Sequence, residues 1–229
     1  MAGPGKNALG TEMMEWIIRR LDEAGGRPVL LAGSDGAFSA GLNLREVASL
    51  DDEGMLRFLR LLERCMCALY LYPGPTVAHV GGHAIAGGSV LALCCDRRVA
   101  AASPKIKIGL NEVALGLRFP PRIFAIVRRR VPPQALEEVV LGAGLFDPAA
   151  AARLGLVDEV ADDAGAVARA RLEALAALPA DAYALTKRDL RGTEAGLCAD
   201  DDEERALREA VPRWTSPALK QKIAALLAR

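Results

Sequence analysis

Apolar residues return along this chain with two distinct periods. Between Glu12 and Ala24 they recur every three or four positions, at Met13, Met14, Ile17, Ile18 and Leu21, which places them on one face of a helix that Gly25-Gly26 stops. Asp51–Tyr72 carries Leu56, Leu59, Leu62, Met66 and Leu69 near the same spacing until Pro73-Gly74-Pro75 ends it. Pro28–Ala32 and Thr76–Val80 are instead short unbroken apolar runs between turn residues, the pattern of buried strands. Gly33–Gly36 forms a loop, and Ala37–Leu44 contains a break at Gly41. Gly81-Gly82 turns the chain, Gly87-Gly88 opens an apolar helix to about Cys95, and Arg98–Ala101 is a third strand. Ile106–Phe119 reads as irregular or strand-like. Pro120 and Pro121 suit the start of a helix through Ile123, Ile126 and Val127. Helices follow at Gln134–Leu141, Pro148–Leu154 and Asp163–Leu178, with two more segments toward Arg229. Gly155 reads as a C-cap before a short strand, Leu156–Val160. Strands alternate with helices first and helices dominate the end, so the expected class is α/β with parallel strands and a helical tail.

Composition narrows this picture. With 229 residues, 52% of them hydrophobic, the chain suffices for one domain with a sizeable core and is tight for two. Lysine plus arginine equals aspartate plus glutamate, 29 against 29, which gives no electrostatic case for nucleic acid or an anionic membrane. Cys65, Cys67, Cys94, Cys95 and Cys198 form no Cys-x-x-Cys pair, and Cys94 and Cys95 read as reduced core residues. With His79 and His83 the only histidines, no metal site is expected. The first residues, Met-Ala-Gly-Pro-Gly-Lys-Asn, lack a signal core or an arginine-rich presequence. The richest apolar stretch, Val77–Cys95, is interrupted by His83 and glycines. A cytoplasmic location is the expectation.

The candidate chemistry lies in three segments. Phe38-Ser-Ala-Gly-Leu-Asn-Leu44 follows the first strand. His83-Ala-Ile-Ala-Gly-Gly-Ser-Val-Leu-Ala-Leu-Cys-Cys-Asp96 follows the second. Glycines in both let a backbone approach a ligand with no Cβ in the way. The second segment also opens a helix, whose first N–H groups have no helical partner and suit a developing oxyanion. Close helix–strand packing is the plainer reading of Gly87-Gly88 taken alone. The third segment is Ile108-Gly-Leu-Asn-Glu-Val-Ala-Leu-Gly116, where Glu112 stands alone among apolar residues. Spacing alone makes that glutamate outward-facing. Arg128-Arg129-Arg130 reads as a solvated helix end, and Gly3-Pro-Gly-Lys6 lacks P-loop spacing.

Taken in this order, the segments resemble the crotonase (enoyl-CoA hydratase/isomerase) superfamily from about Asn7 to Val160, and more loosely to the C-terminus. Asn7-Ala-Leu9 looks like the family's entry to its first helix. Phe38–Leu44 looks like its Phe-x-x-Gly-x-Asp-Leu segment, and Gly82–Asp96 like its glycine-rich helix ending in Cys-Asp. Gly144–Val160 looks like its Gly-x-x-x-x-Ala-x-x-Ala-x-x-x-Gly-Leu-Val-Asp-x-Val segment. Residues 108–116 closely resemble the catalytic segment of mitochondrial-type Δ3,Δ2-enoyl-CoA isomerases. Three features depart from the family: Asn43 replaces its usual aspartate, Gly36 stands where lysine is common, and its opening strand hairpin is absent ahead of Asn7.

The resemblance implies a spiral of βαβ units over residues 1–160 and a C-terminal helical trimerisation region over 161–229. It implies an acyl-CoA thioester as substrate, no separate cofactor, and a homotrimer or hexamer. The main-chain N–H groups of Ala40 and Gly87 would form the oxyanion hole. Phe38, Ser39, Leu42, Ile85, Ala86, Val90 and Leu115 would bind substrate, and Glu112 would be the acid–base group. Hydratases of this family use two glutamates, and here the first of the two positions is Val90. One carboxylate suffices for allylic isomerisation, so Δ3,Δ2-enoyl-CoA isomerisation is the expected reaction. Apolar Leu110, Val113 and Leu115 would raise the pKa of Glu112 by desolvation. The alternatives are a non-catalytic or repurposed acyl-CoA-binding homologue, an enoyl-CoA hydratase-type lyase, or another enolate reaction.

Overall fold

The computed structural model describes residues 1–34, 36–195 and 200–228, so Cys198 lies outside the described residues. A short turn, α1 (Pro4–Asn7), and a helix, α2 (Thr11–Ala24), precede β1 (Val29–Ala32) and β2 (Ala37–Ser39). Helices α3 (Leu44–Ser49) and α4 (Asp52–Tyr70) lead to β3 (Thr76–Val80), β4 (His83–Ile85) and α5 (Gly87–Cys94). Then come β5 (Arg97–Ala101), β6 (Ile108–Gly109) and a single helical turn, α6 (Glu112–Leu115). Helices α7 (Pro121–Arg130), α8 (Pro133–Val140) and α9 (Pro148–Arg153) precede β7 (Glu159–Ala161). The chain continues through α10 (Ala164–Ala176), α11 (Ala180–Ala195), α12 (Asp200–Trp214) and α13 (Pro217–Leu227).

The strands form two parallel sheets, ordered β1-β3-β5-β7 and β2-β4-β6. Leu31 pairs with Ala78, Ala78 with Arg98, and Ala100 with Val160 across the first sheet. The chain visits the two sheets alternately and therefore winds as a spiral. Each full turn adds one strand to each sheet. Parallel strands covered on both faces need apolar residues on both, which is why β3 reads as an unbroken run.

Amphipathic helices cover the sheets. On α2, Met14, Ile17, Ile18 and Leu21 are buried, and Gly25 ends the helix in a left-handed cap at φ 55°. Asp51 caps α4 by accepting from the Gly54 N–H at 2.7 Å. The C-terminal apolar faces find cover within the chain in part, while Leu226 and Leu227 remain exposed. Val167, Leu172 and Leu175 pack on a small cluster of Val77, Val99, Ala164 and Ala168, and Ile223 is buried in the main core.

Asp96, between α5 and β5, ties α11 to this framework. Its carboxylate takes the Thr76 N–H at 2.7 Å and the Tyr183 hydroxyl at 2.7 Å, and it pairs with Lys187 at 2.8 Å and Arg191 at 2.9 Å. Burial alone would raise this carboxyl, but the two cations hold it below its ordinary value.

Several boundaries differ from the sequence reading. The stretch from Ile106 to Phe119, read as irregular or strand-like, contains the short strand β6 and in addition the helical turn α6. Leu156 and Val157 are buried before the strand, which occupies Glu159–Ala161. Three helices follow Leu178 among the described residues, not two. Arg130 is not a solvated helix end. Its guanidinium donates to the carbonyls of Leu93, Cys95 and Asp96 at 2.9, 2.9 and 3.2 Å, satisfying the C-terminal turn of α5. Burial first, then Arg98 and Arg191, push it down to about 10.

Candidate active site

The second sheet brings the three candidate segments together. Ala40 directly follows β2, Ala86 and Gly87 follow β4, and Asn111 and Glu112 closely follow β6. Parallel strands deliver all these residues to one edge, the side where ligands of such sheets collect. There they border a cavity of about 310 Å³.

Two glycines allow the first two segments to meet. Gly41 has φ 91°, and a Cβ there would stand 2.7 Å from the Ile85 carbonyl oxygen. Gly88 lies against β2, where a Cβ would stand 2.3 Å from the Ser39 carbonyl oxygen. The packing reading of the glycine pair therefore belongs to Gly88. Gly87 instead sits at the start of α5, on the cavity wall. Ala86, just before it, has φ 49° and ψ −121°, a region costly for any residue with a Cβ. That conformation turns the chain from β4 into α5 and sets Gly87 at the helix start.

Glu112 is only 6% exposed, contrary to its outward placement from spacing alone. The reason is that α6 is a single helical turn: it turns Glu112 inward and leaves Val113 42% exposed. Val113 therefore does not desolvate the carboxyl, whereas buried Leu110 and cavity-lining Leu115 lie on the inner side. Burial raises the carboxyl to about 7, partly offset by its own backbone N–H. One carboxylate oxygen, Oε2, has no hydrogen-bond partner.

Of the other expected site residues, Leu42, Ile85, Ala86, Val90 and Leu115 border the cavity. Phe38 and Ser39, also expected to bind substrate, do not line it. Both are fully buried behind the wall. Ser39 Oγ donates to the Asn7 carbonyl at 2.8 Å and accepts from the Gly41 N–H at 3.2 Å, so it shapes the loop. Asn43, where the family has aspartate, caps α3 by accepting from the Glu46 N–H at 3.4 Å.

The Ala40 N–H is not free. It donates to the Lys6 carbonyl at 3.1 Å. Gly5, Lys6 and Asn7 carry φ of 64°, 58° and 59°, and this left-handed turn aims the Lys6 carbonyl at β2. A left-handed conformation costs a non-glycine residue ~1–2 kcal/mol.

Sequence reasoning missed much of the wall. Asn111 stands beside Glu112, and its Oδ1 is buried without a partner. Leu62 and Met66 of α4, Ile123 of α7, Trp214 of α12 and Leu219 and Ile223 of α13 close the cavity from outside the motifs. Among the described residues the lining side chains other than Asn111 and Glu112 are apolar, and the Trp214 indole N–H is already donated to the Arg118 carbonyl at 3.3 Å. Lys222 of α13 donates to the Ala114 carbonyl at 3.2 Å, fastening that helix over α6.

Comparison with known proteins agrees with this geometry. The chain is 33% identical over 169 residues to the mouse mitochondrial enoyl-CoA delta isomerase 1, matching 73% of this chain and 58% of that protein. The human mitochondrial Δ3-Δ2-enoyl-CoA isomerase superposes with a TM-score of 0.92 at 26% identity, over 99% of this chain and 90% of that one. An enoyl-CoA hydratase from Mycobacterium ulcerans superposes with a TM-score of 0.76 at 26% identity, over 96% and 90% of the two chains. The fold is thus the crotonase spiral, and likenesses to a hydratase and to isomerases both occur. The enoyl-CoA hydratase/isomerase family matches residues 1–209, and the chain belongs to that family.

Proposed function

We propose that this protein isomerises 3-enoyl-CoA thioesters to 2-trans-enoyl-CoA. The observation that carries the reading is one buried carboxylate, Glu112, beside an apolar cavity whose other family acid position is Val90. Glu112 takes a proton from C2 of the 3-enoyl thioester. The electrons move to the thioester oxygen as an enolate. The N–H of Gly87, and that of Ala40 once released, donate to this oxygen. The same carboxyl then returns its proton at C4, leaving the double bond between C2 and C3. A base raised to about 7 suits this exchange near neutrality, since it both accepts and returns the proton readily. The largely apolar lining suits an acyl chain and, among the described residues, supplies no second acid–base group.

The hydrogen bond from Ala40 to Lys6 favours a second reading, a homologue that binds acyl-CoA without turning it over. One assay separates the two. Purified protein is given 3-enoyl-CoA and, separately, 2-trans-enoyl-CoA, and products are identified by mass and enoyl absorbance. The expectation is conversion of the first and little 3-hydroxyacyl-CoA from the second. Glu112→Gln should lower isomerisation at least ~100-fold, the scale of a lost general base. Brisk hydration by the unmodified protein would sink the isomerase assignment. Binding without any turnover would establish the second reading.

A further inference from the structure

We propose that Lys6 is a positioning residue of the acyl-CoA site. Its main-chain carbonyl holds the Ala40 N–H in the free protein and yields that donor to the thioester carbonyl when substrate binds. This rests on the proposed function. Ala40 lies on the cavity wall, and Gly41 packs its loop onto Ile85 and Ala86, next to Gly87. The donor is thus well placed for a ligand carbonyl, but it already serves Lys6 at 3.1 Å. Both acceptors are carbonyl oxygens approaching one N–H, so each excludes the other.

The turn is anchored on both sides of Lys6. Before it the Met1 amine donates to the Ala32 carbonyl and Gly3 bonds to Asn7, and after it Asn7 bonds to the neighbouring strands. Asn7 is fully buried, and its Nδ2 donates to the carbonyls of Ser34 at 3.1 Å and Ala37 at 2.9 Å. Its Oδ1 accepts from the Gly3 N–H at 3.0 Å, and its carbonyl accepts from Ser39 Oγ at 2.8 Å. Lys6 itself is exposed and held at φ 58°, where a side chain is disfavoured. Releasing its carbonyl breaks one hydrogen bond and relieves that conformation. The two effects are of similar size, so the contact is poised to exchange rather than locked.

The test compares Lys6→Ala, Lys6→Gly and Lys6→Pro, using octanoyl-CoA, a saturated and unreactive thioester, in isothermal titration calorimetry. All three variants lack the lysine charge, so any pairing of that charge with the CoA phosphates cancels. Glycine accepts positive φ freely and strengthens the Ala40 contact, so Lys6→Gly should bind octanoyl-CoA about fivefold or more weakly than Lys6→Ala. Proline fixes φ near −65° and cannot make the contact, so Lys6→Pro should bind more tightly than Lys6→Ala. Equal affinities of the alanine and glycine variants would overturn the proposal, and that pair decides the matter even if the proline variant does not fold. Equal affinities together with normal isomerase turnover would remove this inference and leave the proposed function standing. Failure of the unmodified protein to bind octanoyl-CoA would remove both.

Discussion

Replacing Glu112 by glutamine should alter folding stability in a way that depends on pH. The carboxyl titrates at about 7 in the folded chain against an ordinary 4.5, with burial the main cause. Between those two values the folded state binds more protons than the unfolded one. The wild type therefore keeps its full stability below about 4.5, loses stability as pH rises from there, and stops losing it above about 7. The span from 4.5 to about 7, at ~1.36 kcal/mol per pH unit, is worth about 3 kcal/mol. Of this, about 2.5 kcal/mol falls between pH 5 and pH 8.5. Glutamine has nearly the same shape and does not titrate. Urea unfolding of both proteins without substrate, at pH 5 and pH 8.5, should show the stability of Glu112→Gln relative to wild type rising by that amount at the higher pH. A difference that stays constant with pH would mean that the carboxyl is solvated, and would refute both its burial and its tuning as a base near neutrality.

Gly88→Ala should cost ~1–3 kcal/mol in urea unfolding, because its Cβ meets the Ser39 backbone at 2.3 Å. Gly87→Ala should cost less, since its Cβ meets only the side chains of Leu42 and Leu9, at 3.2 and 3.4 Å. Equal costs would show that the two glycines are not distinguished by packing. Asp96→Asn should cost ~3–5 kcal/mol at neutral pH by leaving buried Lys187 and Arg191 without their counter-charge. Because the Asp96 carboxyl is held below its ordinary 3.8, the wild-type advantage should persist above that value and vanish as pH falls further; an advantage unchanged in strong acid would contradict the pairing. Static light scattering should report a trimer or hexamer, for which Leu178, Leu185 and Leu190 of the α10–α11 region remain 50%, 50% and 59% exposed; a monomer at micromolar concentration would refute it.

Much of the fold was legible because its signals are local. The helical faces of α2 and α4 and the apolar runs of β1 and β3 each announce burial within a few residues. Glu112 was legible as chemistry only through the motif around it. Spacing misplaced it because α6 is one turn long, too short for a period to show which side faces in. Phe38 does not line the cavity it was expected to border, because a strand buried on both faces does not reveal which neighbour is the cavity. The walls from α4, α12 and α13 were hidden for another reason. Their apolar positions were visible, but what they cover depends on contacts far apart in sequence. Lys6 did leave a trace: it lies between glycine and asparagine, two residues that tolerate a left-handed turn.

The alternation of strands between two sheets has a consequence for how such a site can diversify. The contributions hang from successive windings of the spiral: Ala40 from the first, Gly87 and Val90 together on α5 from the second, and Glu112 from the third. The main-chain positions on the first two windings depend on backbone shape, which small residues such as Ala40, Gly41 and Gly88 preserve. The acid–base positions of the proposed reaction, 90 and 112, are side chains projected from that shape. On the proposed function, a substitution at position 90 or 112 would change the acid–base side chains while leaving the main-chain N–H groups of Ala40 and Gly87 on the cavity wall. Chemistry and grip would then be separately heritable in this architecture, with the valine at position 90 as one setting.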